Sequence, residues 1–167
     1  MTPAELLTDS LERVRESVAA VLDGLTPDEL THRPIPDANP IGWLVWHLTR
    51  IQDDHVAEVA GTEQVWTADG FADRFDLPYD TTDHGYGHSP EQVGAFRADA
   101  GLLGEYYDAA HRRTLEYVAG LSPEDLDRVV DERWDPPVTL GVRLVSVVND
   151  DTQHVGQAAY VRGLLGR

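Results

Sequence analysis

Apolar residues recur three and four positions apart over four long stretches of this chain. Leu7, Leu11, Val14, Val18, Val21 and Leu25 form the first stripe. That spacing puts them on one face of a helix, from about Pro3 to a stop signal at Gly24. Ile41, Leu44, Val45, Leu48, Ile51 and Val59 form the second, on a helix that opens at Asn39-Pro40, cap plus proline, and ends at Gly61. The third opens with the capping box Ser89-Pro90-Glu91-Gln92 and runs to about Ala119, with Gly94, Gly101 and Gly104 weakening its first half. The fourth is capped by Thr139, runs to about Leu165, and carries Leu140, Leu144, Val147, Val148, Val155, Ala158 and Leu165. Short helical turns are expected at Thr26-Pro27-Asp28-Glu29 and Ser122-Pro123-Glu124-Asp125.

Residues 62–88 break this pattern. Trp66, Phe71, Phe75, Tyr79 and Gly85-Tyr86-Gly87 stand among acids and threonines with no helical or strand period. So long a connection reads as a surface crossover packed by its own aromatics, or as a lid over a site. Residues 128–138 read as an extended loop, and no strand is expected. The pattern predicts an all-α fold: a four-helix bundle with a long irregular connection between helices two and three, one domain over residues 1–167.

Composition narrows the chemistry. The chain has no cysteine, which removes disulfides, cysteine-ligated zinc and a protein thiolate nucleophile. It has no lysine either, so Schiff-base chemistry is excluded. The net charge of −17 opposes binding to nucleic acids and anionic membranes, and no basic patch offsets it. No apolar run approaches bilayer-spanning length. The first residues, MTPAELLTDSLERVRE, lack the basic, apolar, small-residue order of a signal peptide, so a cytoplasmic location is expected.

Polar residues on apolar helix faces are the informative positions, because a buried carboxylate or imidazole needs a partner. On the fourth helix, Asp151 falls near the centre of the stripe, His154 close to it and Asp150 on its edge. Asp150 and His154 are four apart and could share one ion; Asp151 and His154, three apart, could also. On the second helix, His55 lies within the stripe and His47 at its edge. Periodicity alone favours His55 and Asp151.

The segments Gly42-Trp43-Leu44-Val45-Trp46-His47-Leu48-Thr49-Arg50 and Asp150-Asp151-Thr152-Gln153-His154-Val155-Gly156-Gln157, with the Val138-Thr139-Leu140 entry to the last helix, carry a resemblance. The chain resembles the DinB-like family of metal-binding four-helix bundles, and within it the branch of mycothiol-dependent maleylpyruvate isomerase and mycothiol transferases. The resemblance implies His47, Asp150 and His154 as metal ligands. Aspartate stands at 150 where glutamate or histidine is more usual, and Val155 where arginine is frequent. The implied ion is divalent: zinc first, with nickel or iron also suited to the donor set. The implied activity is a transferase or isomerase in which the metal activates the thiol of mycothiol toward an electrophilic small molecule. The implied partners are that substrate and the low-molecular-weight thiol, and a homodimer is a further expectation. A hydrolase using metal-bound hydroxide, with Asp54 or Asp151 as base, and a non-enzymatic metal-stabilised stress-response module are the alternatives.

The remaining features read as follows. Trp43 and Trp46 are expected to pack or cover a bundle end. His84 and His88 read as solvated loop residues, with substrate binding at the bundle mouth as the other option. Asp53-Asp54-His55 resembles a second metal cluster but reads as support around a metal or as helix surface. Arg143 and Arg162 could hold a substrate carboxylate, with plain exposure as the default. Ser146 has no histidine–acid pair suggested by the sequence.

Overall fold

The computed structural model describes residues 1–167. Four long helices dominate it: α1 (Pro3–Leu22), α3 (Ile41–Ala60), α7 (Ala100–Ala119) and α8 (Leu140–Leu164). Between them lie the short helices α2 (Pro27–Leu30), α4 (Val65–Ala68), α5 (Phe71–Phe75) and α6 (Pro90–Ala95), and a 3-10 turn at Glu124–Asp127. α3 packs against α7 and α8, and α1 against the same two, so α1 and α3 occupy opposite corners of a four-helix bundle. Cross-helix contacts set the directions. Gln52 bonds Thr114 and Tyr117 bonds the Val59 carbonyl, so α3 and α7 run parallel. His55 meets Arg143 while His47 meets His154, so α3 and α8 run antiparallel.

Local chemistry explains most element ends. Thr2–Glu5, Thr26–Glu29 and Ser89–Gln92 form complete capping boxes, each with proline opening the helix. Thr139 caps α8 through the Val142 amide. Asn39 does not cap α3: the cap position is Pro40, with no side-chain bond. Arg162, free to bind a substrate by sequence, instead donates to the Val21 and Asp23 carbonyls at 3.0 and 2.8 Å, satisfying the C-terminal end of α1.

Three segments differ from expectation. The third long helix is split, because Phe96 takes an extended conformation and turns into the core, where it is fully buried. Asp99 then caps a new start through the Leu102 amide. The 62–88 crossover contains α4 and α5, whose Trp66, Phe71 and Phe75 join the main core. Within 128–138, residues Val129–Asp131 and Val138–Thr139 pair as a two-stranded antiparallel ribbon.

The crossover changes the character of α3. Every residue from Ile41 to Asp53 is buried, so this helix has no solvent face over three turns. Its polar residues are bonded inward. Arg50 donates to Gln64 Oε1 and to the Asp83 carbonyl, with its guanidinium over the Trp66 ring. Asp53 accepts from the Val65 and Trp66 amides and the Tyr106 hydroxyl, which fastens the crossover to α3 and α7. No helix is long and apolar enough to cross a membrane.

Candidate metal centre

α3 and α8 face each other where His47 meets His154. The two rings are 4.8 Å apart between centroids and nearly perpendicular. Asp150 lies one turn before His154 on α8, with its Oδ1 3.5 Å from His154 Nε2. One donor atom from each of His47, Asp150 and His154 lies within 4.8 Å of the others. Two ligands held about 2.1 Å from a tetrahedral ion are themselves about 3.4 Å apart, close to the His154–Asp150 separation.

Hydrogen bonds fix which ring nitrogen is open. His47 Nδ1 faces the His84 carbonyl. A carbonyl only accepts, so Nδ1 carries the proton and Nε2 keeps its lone pair. His154 Nδ1 faces Gln157 Oε1 at 3.3 Å, which likewise leaves Nε2 as the open nitrogen. Backbone carbonyls and amide oxygens on the outer nitrogen are the usual orienting partners of metal-bound histidines. Asp150 Oδ2 is buried and has no hydrogen-bond partner. A buried carboxylate oxygen is costly to leave unpaired, and a cation among these three residues would satisfy it. The donor set therefore fits a divalent ion of zinc's class, with nickel and iron compatible.

Electrostatics agree. Burial pushes the His47 imidazole down to about 4, so the ring is neutral and able to ligate at pH 7. The Asp150 carboxylate beside it, 3.5 Å from Nε2, holds the His154 imidazole above its ordinary value, so an ion there would compete with a proton.

The loop over His47 is built tightly. Trp43 stacks on the His47 ring, 4.8 Å between centroids and 11° from parallel. Trp43 Nε1 donates to His88 Nδ1, and His88 Nε2 in turn donates to Asp83 Oδ2 at 2.8 Å. Asp83 Oδ1 accepts from the Gly85 amide. Gly85 has φ +90°, and a Cβ there would lie 2.9 Å from His47 Nδ1. Segment 83–88 is thus a glycine-dependent clamp that presents the His84 carbonyl to the histidine.

The profile of the mycothiol-S-transferase family matches residues 6–166. The chain belongs to the mycothiol-S-transferase family. Among solved structures, a conserved protein from Enterococcus faecalis superposes with a TM-score of 0.90 at 33% identity, covering 100% of this chain and 99% of that one. Comparison with curated proteins gives no match. This mycothiol-S-transferase family member has the all-α, DinB-like bundle that its sequence predicts.

The two residues favoured by periodicity lie outside the triad. His55 Nδ1 accepts from Arg143 at 2.8 Å, and Arg143 also reaches Glu58 and Asp131. Arg143 is therefore buried and ion-paired, contrary to default exposure. Asp151 is completely buried with both carboxylate oxygens unpaired, and burial raises it well above the usual carboxylate range. Asp54 accepts from Gln64 Nε2. His88, read as a solvated loop residue, has a side chain only 3% exposed. Trp43 packs, as expected of a tryptophan, but packs on the site itself. Sequence reasoning assigned no role to Gln157, to Gly85 or to the His84 backbone. Gln157 lies in the His154-Val155-Gly156-Gln157 segment, and the paired glycines at 85 and 87 are the visible signal for the clamp.

Proposed function

We propose that this chain is a metal-dependent transferase that joins the thiol of mycothiol to an electrophilic small molecule, with His47, Asp150 and His154 holding the ion. The convergence of two oriented imidazoles and a carboxylate with an unpaired buried oxygen carries the reading. Family membership supports the thiol, and the absence of cysteine means that the reacting sulfur must arrive on a cofactor. A bound divalent ion supplies a Lewis acid that lowers the pKa of a coordinated thiol.

The chain's own residues prepare that position. The His84 carbonyl and Gln157 Oε1 hold protons on the outer nitrogens of His47 and His154, which keeps both Nε2 atoms open. Trp43 restrains the His47 ring by stacking, and the surrounding core keeps that ring neutral. Asp150 contributes the one formal negative charge of the set, leaving net positive charge when a divalent ion is present. In the transfer, a sulfur–carbon bond forms, the leaving group departs with its bonding electron pair, and the thiol proton passes to solvent. Of the bases nominated for the hydrolase alternative, Asp151 is fully covered and Asp54 accepts from Gln64 Nε2.

Transfer from mycothiol to monochlorobimane, followed by fluorescence, tests the reading. Zinc-loaded wild type is expected to accelerate transfer, and His154→Ala to lose the acceleration by about a hundredfold or more. Equal rates in the two proteins, or hydrolysis of an ester without any thiol, would overturn it.

A further inference from the structure

α8 carries a glycine, Gly156, two residues beyond His154 and in mid-helix. Glycine there weakens a helix relative to alanine. Close packing does not require it, because a Cβ at Gly156 would meet nothing within 4 Å. The space it leaves belongs to a groove of about 730 Å³ between the 34–39 loop, the start of α3 and the end of α8. Pro34, Ile35, Leu44, Gly156, Gln157 and Tyr160 line it. Ile35 and Tyr160, 64% and 69% exposed, add apolar surface to its rim.

The groove adjoins the triad on both helices. Leu44 lies one turn before His47, and Gln157, bonded to His154, is itself part of the lining. Its volume is within the range of small-molecule pockets. The opposite end of the triad is polar: Asp54, His55, Glu58, His84, Arg133 and Arg143 surround the hollow there. His84, whose carbonyl meets His47, ties that hollow to the triad as Gln157 ties the groove.

We propose that the groove holds the apolar body of the electrophile, a neutral aromatic or aliphatic group, and aims its reactive carbon at the triad, while the polar thiol enters from the Arg143 side. This deepens the transferase reading and rests on it. Asp37 in the lining and the charge of −17 on the chain select against an anionic occupant. With monochlorobimane as electrophile, the thiol sulfur bonds to the chloromethyl carbon, chloride leaves with the electron pair, and the thiol proton goes to solvent.

The neutral fluorophore N-phenyl-1-naphthylamine probes the groove without chemistry. Titrated into metal-free protein, it is expected to bind wild type saturably, to bind Gly156→Ala and His154→Ala with little change, and to bind Gly156→Phe at least about tenfold more weakly. Circular dichroism checks that each variant is folded. In the transfer assay, Gly156→Phe is expected to raise KM for monochlorobimane by a similar factor and leave KM for mycothiol unchanged. Equal probe affinity in wild type and folded Gly156→Phe overturns the proposal. So does a wild-type dimer that Gly156→Phe converts to monomer while neither binds the probe, since a second copy then fills the groove. Selective loss of probe binding in Gly156→Phe, with no thiol transfer by any protein, upholds an apolar ligand groove and overturns the transferase reading instead.

Discussion

At Gly85 the backbone passes so close to α3 that a methyl group would lie 2.9 Å from both His47 Nδ1 and Trp43 Cζ2, at a φ of +90° that side chains rarely adopt. The Gly85→Ala variant must therefore displace the 83–88 clamp or rotate the His47 ring. Its zinc affinity is expected to fall by about ten- to a hundredfold, the usual cost of losing an orienting partner. Titration with zinc checks this, with thermal unfolding of the metal-free protein showing that the variant still folds; unchanged affinity would show that the clamp does not position His47. His111 offers a second test, away from the triad. It is buried on α7, stacked on Tyr107, and its Nε2 lies 3.4 Å from Glu12 Oε1 but misaligned for a hydrogen bond. Burial pushes its imidazole below 6.5 despite Glu12. The unfolded chain then binds a proton that the folded chain refuses, so His111 costs stability as pH falls below about 6.5. The loss of stability between pH 7 and 5 is expected to be shallower in His111→Gln than in wild type, measured by urea unfolding with metal removed. Identical slopes would contradict it.

Among the elements, the crossover between α3 and α6 is fastened at its start by one carboxylate. Asp53 accepts two backbone amides at the start of α4 and the Tyr106 hydroxyl, all out of solvent. Asp53→Ala leaves three buried donors unpaired, and a loss of about 2–4 kcal/mol in unfolding free energy is expected. A loss under about 0.5 kcal/mol by denaturant titration would show that the crossover is held by its aromatics and its other hydrogen bonds. The elements also show what the sequence could and could not reveal. Capping boxes were legible because they are local: Thr26, Glu29, Ser89 and Gln92 need only one another. The break at Phe96 was not, because its cause is a distant pocket in which Phe96 lies against Trp46 and Gly42. The register of the three converging residues was hidden for a related reason. A hydrophobic stripe marks a functional face only where another face meets water, and α3 is buried all round from Ile41 to Asp53. Periodicity did locate burial on α8, since Asp151 is fully covered, but burial there is not convergence with His47. The family resemblance pointed to the three residues that converge, which periodicity did not.

For the molecule as a whole, the bundle acts as a frame that brings two antiparallel helices together at one polar point. α3 brings His47, α8 brings Asp150 and His154, and the crossover closes over the first while Gln157 steadies the last. Near that point lie an apolar groove and a charged hollow, which we assign to two unlike reactants. The proposed function depends on an ion at the triad. Isothermal titration of zinc into metal-stripped wild type, His47→Ala, Asp150→Ala and His154→Ala tests that most directly. The account predicts one ion per chain in wild type and at least about tenfold weaker binding in each variant, with His47→Ala and His154→Ala the weakest. No saturable binding by wild type, or wild-type affinity in the two histidine variants, would contradict it.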